Sequence, residues 1–141
     1  MLSQQYQDNI DTILQKIEEA DAIVVGGAAG MSAAAGYNWY QDDANFRKYF
    51  NAFAEEFGID SIFGGFYYRF RSEEERWAYL AMLINFVAEV PIGQPYKDLD
   101  KILQGKNYYI LTTNQDTQFL QVFLEEKVSA IQGNWTYLQC S

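Results

Sequence analysis

The sequence predicts an α/β fold built on an open parallel sheet with helices around it. Residues 22–26, 108–112 and 128–131 are short and rich in β-branched or apolar residues, as strands covered on both faces are. Segments with helical periodicity lie between them, so one strand is followed by several helices and then by two strands separated by a helix. That order is typical of a parallel sheet whose ligands bind at the carboxyl ends of the strands.

The amino-terminal segment predicts an amphipathic helix over residues 4–20. Ser3 is a suitable N-cap, and the apolar residues that follow recur at helical spacing. We expect the apolar face of this helix to pack beside the first strand. The residues on that face are Ile10, Ile13, Leu14 and Ile17.

A helical segment is predicted to separate the first two strands, at about residues 42–90. Phenylalanines recur at helical spacing from Phe46 to Phe57, and Gly58 ends that helix. Ser72 and Glu75 form a capping box that begins a longer helix. The inward residues predicted for the longer helix are Trp77, Leu80, Ala81, Ile84 and Val87. The many aromatic residues in this region fit either a core or the wall of a pocket.

Two further helices are predicted around the second strand. One begins near Pro95 and ends at Gly105, and a second covers about residues 116–124. The first should bury Leu99, Ile102 and Leu103. The length of 141 residues corresponds to one domain or part of one.

The composition argues against several classes of function. A net charge of −9 disfavours nucleic acid and anionic membranes as partners, because both would be repelled. No apolar run reaches the ~20 residues that cross a bilayer, and the first residues lack the pattern of a signal peptide. Cys140 is the only cysteine, so we expect a reducing, cytoplasmic location. The absence of histidine excludes a histidine base or ligand from this chain.

The segment after the first strand is the most informative. Of residues 26–36, only Met31 and Ser32 are neither glycine nor alanine. Small residues at a turn that opens a helix let backbone N–H groups approach a phosphate, which the helix N-terminus also favours. The spacing departs from the dinucleotide pattern G-x-G-x-x-G. A tight packing turn without a ligand is the alternative interpretation.

Polar loops follow the other two strands as well, at residues 112–116 and 132–135. Each could be a simple turn held by its own side chains. Because the carboxyl ends of parallel strands meet at one edge of a sheet, we expect all three loops to converge on one pocket.

Taken together, the three loops resemble the motifs of the sirtuin family. Residues 28–32 (Ala-Ala-Gly-Met-Ser) resemble its Gly-Ala-Gly-Ile-Ser loop, and residues 112–116 (Thr-Thr-Asn-Gln-Asp) resemble its Thr-Gln-Asn-Ile-Asp segment. Residues 132–135 (Gln-Gly-Asn-Trp) stand where sirtuins carry His-Gly-Ser-Phe, and Cys140 stands at the position of their first zinc cysteine. Gln132 stands in place of the catalytic histidine, and in this respect the chain resembles the microbial macrodomain-linked, class M sirtuins.

The resemblance implies a fold and a cofactor. The fold would be Rossmann-like (the DHS-like NAD-binding fold), with residues 1–141 as a single partial domain that stops before the zinc module and the last strands. NAD would be the cofactor. Zinc would bind only in a complete chain, where Cys140 would be one of its ligands, because a structural zinc site needs four.

The resemblance also assigns the site. Asn114 would hold ribose hydroxyls or a water, Gln132 would orient a nucleophile, and Asp116 would accept a hydrogen bond from the nicotinamide carboxamide. Ala28 stands where the family has a glycine close to the pyrophosphate. The positions implied to contact NAD are Gly27, Ala28, Ala29, Gly30, Ser32, Phe46, Thr113, Asn114, Asp116 and Gln132.

The function implied by the resemblance is NAD-dependent ADP-ribosylation of a protein. The implied acceptor is a lipoylated H-like carrier protein, and a macrodomain protein is a possible partner. Glutamine cannot take a proton as histidine does, which favours transfer to an acceptor that supplies its own nucleophile. Two alternatives stay open: an NAD glycohydrolase that uses water as the acceptor, and a nucleotide-binding module without turnover.

Overall fold

The computed structural model describes residues 3–138 and shows a three-stranded parallel sheet flanked by helices. The strands are β1 (Ile23–Gly27), β2 (Tyr108–Thr112) and β3 (Val128–Ala130), in the spatial order β1-β2-β3. The predicted α/β class, the parallel sheet and all three strands are confirmed. Seven α-helices and a 3₁₀ turn (Glu125–Lys127) accompany the strands within these residues. The α-helices are α1 (Gln4–Glu19), α2 (Ala29–Ala34), α3 (Ala44–Phe57), α4 (Ile62–Phe66), α5 (Glu73–Glu89), α6 (Gln94–Leu103) and α7 (Gln118–Val122).

Local sequence signals set the ends of several helices. The Ser3 hydroxyl accepts a hydrogen bond from the Tyr6 backbone N–H and begins α1, as predicted. Gly58 adopts a left-handed conformation (φ 68°) at the end of α3, which suits a residue without a Cβ. The Ser72 hydroxyl accepts from the Glu75 N–H at the start of α5. The Glu75 carboxylate reaches back to the N–H of Arg71, one residue before the position that a capping box uses.

Only one face of the sheet is covered. Ile110 and Val128 are buried on the covered face, together with Phe119 from α7. The opposite face carries Val24 and Leu111, which are 71% and 44% exposed. The expectation of strands buried on both faces is therefore wrong for the part of the chain that the structure describes.

Helix α1 forms as predicted, but its apolar face is not packed against the sheet. Ile13 and Leu14 are both exposed, and none of the residues of α1 is buried. An open groove separates this face from the edge of the sheet, with Ile17 on one side and Val24 on the other. The predicted packing of α1 beside β1 is thus wrong in this structure.

Helices α3, α4 and α5 form a second, aromatic core beside the sheet. Phe50 of α3 lies at its centre, with ring centroids 5.4 Å from Tyr79 and 5.6 Å from Phe86. The buried residues of α5 are Tyr79, Leu83, Phe86 and Val87. Of the predicted inward residues, Val87 is buried and Leu80 is partly buried against the aromatic core, whereas Trp77 is 49% exposed. Apolar residues lie all around α5, so their spacing does not show which face of the helix is buried. Packing against the aromatic residues of α3 decides which face that is.

The buried residues of helix α6 also differ in part from those predicted. Leu103 is buried as predicted, but Ile102 is exposed, and the fully buried residue at the start of the helix is Tyr96. Tyr96 lies against the sheet with its ring 4.8 Å from that of Phe119. An aromatic residue with a hydroxyl group is thereby placed at the carboxyl edge of the strands.

The strand register brings the three predicted loops to one edge of the sheet. Gly27 pairs with Thr112, which in turn pairs with Ala130. Backbone hydrogen bonds continue just past the strands, from the Thr113 N–H to the Gly27 carbonyl and from the Ile131 N–H to the Thr112 carbonyl. The predicted convergence of the loops is confirmed. No helix within residues 3–138 combines the length and apolar character needed to span a membrane.

Candidate functional site

A buried polar network joins the first and second loops to helix α6. Asn114 donates from Nδ2 toward three oxygens: the Ala28 carbonyl at 3.1 Å, the Ser32 hydroxyl at 3.2 Å and the Tyr96 hydroxyl at 3.2 Å. Ser32 and Tyr96 both donate to Oδ2 of Asp116, Tyr96 at 3.4 Å. Four side chains from three segments of the chain therefore form one network.

Burial governs the ionisation of this network. Asp116 is only 3% exposed, and this burial raises the pKa of its carboxyl, although hydrogen bonds from Ser32, Tyr96 and the Gln118 backbone oppose the shift. Burial together with the charge of Asp116 raises the pKa of Tyr96 to about 12. The Tyr96 phenol therefore keeps its proton at neutral pH and can donate it to Asp116.

The network leaves one atom of Asn114 available to a ligand. Its Nδ2 is directed to acceptors of the protein, while its Oδ1 has no hydrogen-bond partner within residues 3–138. Asn114 is half-buried and lines an open cleft. An oriented carbonyl oxygen at the wall of a cleft can accept a hydrogen bond from a hydroxyl group of a ligand.

The glycine- and alanine-rich loop places backbone rather than side chains at the start of α2. Ala28 is the N-cap of this helix, and its side chain has no oxygen with which to cap the free N–H groups. A Cβ atom added to Gly30 would meet nothing within 4 Å. The loop therefore has open space beside a run of backbone N–H groups, as an anion-binding turn requires.

Gly27 has a different role. A Cβ atom at this position would lie 2.3 Å from the ring of Phe119, which packs directly against the backbone. This contact explains the glycine without a ligand. The interpretation of this residue as a packing glycine therefore has direct support, while its predicted NAD contact stays a prediction.

Gln115 holds the third loop against the second. Its Nε2 donates to the backbone carbonyl of Gln132 at 2.8 Å, and its own backbone carbonyl accepts from the Trp135 N–H at 3.2 Å. Gln132 is exposed and lines the same cleft as Asn114. The two predicted catalytic side chains thus share one cavity.

The cleft encloses about 330 Å³ and has one polar and one aromatic wall. The polar wall comes from Thr113, Asn114, Gln115 and Gln132, and Ala29 completes the lining on the side of the first loop. The aromatic residues are Trp39, Tyr40, Phe63, Tyr67 and Trp135. Of residues 3–138, none that lines the cleft is charged. The cavity suits a ligand that carries a flat, partly apolar group next to a polar one.

Most of the predicted site residues fall into three groups. Ala29, Thr113, Asn114 and Gln132 line the cleft, whereas Ser32 and Asp116 lie behind it in the buried network. Ala28 and Gly30 lie in the loop beside it. Phe46 does not line the cleft and is fully buried in the aromatic core, with its ring 5.9 Å from that of Phe50, and its predicted contact with NAD stays a prediction. Cys140, the predicted zinc ligand, lies outside the described residues.

The sequence interpretation missed Tyr96 and Gln115 as residues of the site, and it gave the aromatic wall only as one of two alternatives. Gln115 lies within a predicted loop, so its position between Asn114 and Asp116 was a usable signal. The aromatic wall was one of two interpretations of the Tyr- and Phe-rich segment. No sequence feature marks Tyr96 as a site residue, because it precedes Asn114 by 18 residues and contacts it only in the folded protein.

Comparison with known proteins gives two relatives whose names describe an activity. A "Protein ADP-ribosyltransferase" of Staphylococcus aureus is 35% identical over 127 residues, which cover 89% of this chain and 40% of that protein. A "Probable bifunctional ADP-ribose hydrolase/ADP-ribosyltransferase" of Fusarium oxysporum is 32% identical over 138 residues, which cover 95% of this chain and 23% of that protein. No family model matches the chain. The chain thus spans less than half the length of the curated relatives that it matches.

Proposed function

We propose that this chain carries the NAD-binding and catalytic part of a protein ADP-ribosyltransferase of sirtuin type, with a Rossmann-like, DHS-like fold. One observation carries the proposal: Asn114, with its amide held by the buried network, shares a cleft at the carboxyl edge of a parallel sheet with Gln132. The two relatives named as ADP-ribosyltransferases, which align with 89% and 95% of the chain, support the same reaction class. The sirtuin type rests on the resemblance of the three loops.

The residues at the edge of the sheet fit NAD. The start of α2 offers backbone N–H groups and open space beside Gly30 for the pyrophosphate. The cleft next to it has room and hydrogen-bonding groups for the nicotinamide riboside end. Within residues 3–138, no acidic side chain lines the cleft, so the net charge of −9 places no carboxylate of its lining against the nicotinamide riboside end.

The residues of the cleft suit cleavage of a glycosidic bond better than proton abstraction. When the bond between ribose and nicotinamide breaks, positive charge develops on the ribose, which needs positioning and electrostatic support more than a strong base. Asn114 Oδ1 would accept from a ribose hydroxyl, and Gln132 would orient the incoming nucleophile. Asp116 would hold Asn114 in place through the hydroxyls of Ser32 and Tyr96. Its predicted contact with the nicotinamide carboxamide stays a prediction.

Among residues 3–138, no histidine, carboxylate or amine lines the cleft to activate a nucleophile, which favours an acceptor whose own nucleophile is already reactive. We propose a lipoylated H-like carrier protein as this acceptor. Its lipoyl arm is uncharged and largely apolar, which suits aromatic walls that include Trp39, Tyr67 and Trp135. A macrodomain partner that removes the modification is part of the proposal, supported by the combined hydrolase and transferase name of one relative.

The decisive experiment measures transfer of labelled ADP-ribose from NAD by the complete protein. Lipoylated and unlipoylated forms of one carrier serve as paired acceptors, and free nicotinamide is measured in parallel. Transfer that requires the lipoyl group and is lost in Asn114→Ala supports the proposal. Asn85→Ala, in an exposed part of α5, is the matched control.

Other outcomes identify the alternatives. Nicotinamide release at the same rate without any acceptor would show a glycohydrolase. Saturable binding of NAD without any product would show a nucleotide-binding module. Either result would overturn the transferase proposal.

A further inference from the structure

We propose that Tyr96 is a positioning residue, whose hydroxyl sets the orientation of the Asn114 amide and thereby presents Asn114 Oδ1 to the ligand. The inference deepens the proposed function and rests on it for the identity of the ligand. Tyr96 does not line the cleft and is fully buried, so it would act only through Asn114 and Asp116.

The hydroxyl of Tyr96 is held in place by close packing around the start of α6. Gly93, the N-cap of this helix, lies so close to α2 that a Cβ atom there would be 2.2 Å from that of Ala35. The Gly93 N–H donates to the buried side-chain oxygen of Gln118 at 2.9 Å. The ring of Tyr96 meets Phe119 edge to face at 4.8 Å. Contacts to α2 and α7 therefore fix the position of the hydroxyl relative to the first and second loops.

The two hydrogen bonds to Asp116 set the direction of the others in the network. Oδ2 of Asp116 accepts from the hydroxyls of both Ser32 and Tyr96, so both hydroxyls direct their protons to it. Each hydroxyl then offers only lone pairs to Asn114, and only the NH₂ group of the amide can satisfy them. The Ala28 carbonyl is a third acceptor with the same requirement. The amide is thereby oriented with its oxygen away from the network, on the side of the cleft.

Tyr79 provides the comparison that separates this role from ordinary core packing. Tyr79 is also fully buried, and its hydroxyl donates to the backbone carbonyl of Ile62 in the aromatic core. Tyr96 differs because both partners of its hydroxyl are side chains of the candidate site. Removal of either hydroxyl should cost similar stability, but only one of them should affect the ligand.

The first test compares Tyr96→Phe with Tyr79→Phe in the complete protein. We expect similar falls in melting temperature for the two variants and a loss of about tenfold in kcat/KM for Tyr96→Phe alone, the size expected for one hydrogen bond. Because transfer is expected to be lost in Asn114→Ala, the coupling is measured as NAD affinity. Tyr96→Phe should weaken NAD binding in the wild type but cause no further loss of affinity in an Asn114→Ala background, because its effect acts through Asn114. Ser32→Ala should show the same dependence on Asn114. Equal losses in both backgrounds would overturn the inference.

The second test does not depend on turnover. The side-chain amide signals of Asn114, observed by NMR after asparagine labelling and assigned with Asn114→Ala, report the hydrogen bonds of Nδ2. We expect them to shift and to exchange faster with solvent in Tyr96→Phe and to stay unchanged in Tyr79→Phe. Unchanged signals in Tyr96→Phe would refute the positioning role even if the protein proved inactive. A wild type that transfers no ADP-ribose, but shows the shift, would refute the proposed function alone.

Discussion

Asn114 donates a hydrogen bond of 3.1 Å to the backbone carbonyl of Ala28, which precedes it by 86 residues. This contact joins the loop after β2 to the turn that opens α2. Except for Trp135, which belongs to the third loop, the aromatic residues that line the cleft lie between these two positions in the chain. The site is therefore assembled by the parallel pairing of β1 and β2, and the helical region between them adds one wall.

The turn at the start of α2 gives a prediction in which binding and stability change in opposite directions. Gly30→Ala should keep or raise the melting temperature, because the new methyl group enters open space in a helix and alanine is the better helix former by about 1 kcal/mol. The same methyl group should weaken NAD binding by blocking close approach of the pyrophosphate. Tryptophan fluorescence can measure the affinity, since Trp39 and Trp135 line the cleft.

The reverse change at the neighbouring position completes this test. Ala28→Gly removes a methyl group from an extended residue (φ −143°) and should tighten NAD binding if the phosphate lies against this turn. If neither variant changes the affinity, the turn serves packing alone.

Gly27 should behave differently from Gly30 although both belong to the same glycine- and alanine-rich segment. Gly27→Ala would bring a methyl group to 2.3 Å from the Phe119 ring. We expect a loss of about 1–3 kcal/mol in the free energy of unfolding, as is usual for overpacking of a core. Denaturant unfolding would measure it. Phe119→Leu should recover part of the loss in the double variant, and additive losses would contradict the packing explanation.

The sequence allowed prediction of features that depend on neighbouring residues in the chain. The N-cap at Ser3, the end of a helix at Gly58 and the three strands are of this kind. The inward face of α5 was not predictable, because apolar residues surround the helix and the choice of Tyr79 over Trp77 depends on packing against α3. The packing of α1 was also mispredicted, since its amphipathic pattern does not specify what covers the apolar face.

Some residues of the candidate site could likewise be predicted from neighbouring residues in the chain, whereas others depend on the packing of distant segments. Asn114 and Gln132 follow predicted strands, so their meeting in one cleft follows from the rule for parallel sheets. Phe46 was assigned through the resemblance alone, and its burial beside Phe50 shows why a phenylalanine at helical spacing does not reveal a ligand contact. Tyr96 could not be found, because no sequence spacing relates it to the loops.

The uncovered face of the sheet predicts self-association of the 141-residue chain when it is produced by itself. Val24, Tyr109 and Leu111 expose apolar surface side by side, and parallel sheets are normally covered on both faces. Leu111→Lys should reduce the association measured by light scattering without lowering the melting temperature. The matched control is Trp77→Lys, which changes an equally exposed apolar residue on α5. A monodisperse monomer in the unmodified chain would contradict the prediction.

The buried Asp116 predicts opposite effects of pH on stability and on ligand binding. Burial raises the pKa of its carboxyl above the ordinary value of 3.8, so folding favours the protonated form. Its contribution to stability is therefore complete below pH 3.8 and is lost as the pH rises through the higher, folded-state pKa. Asp116→Asn removes this ionisation, so the variant should be more stable than the wild type at neutral pH, and its melting temperature should vary less on the acid side.

Ligand binding should respond in the other direction, because only the carboxylate requires Ser32 and Tyr96 to donate and so fixes the amide of Asn114. The affinity for NAD should rise with pH through the folded-state pKa of Asp116 and then stay level, since the pKa of Tyr96, at about 12, keeps its phenol neutral across this range. Fluorescence titrations carried upward from the ordinary carboxyl pKa of 3.8 would show this rise in the wild type. They should show a weaker, pH-independent affinity in Asp116→Asn. An unchanged pH profile in that variant would mean that Asp116 does not control the orientation of Asn114.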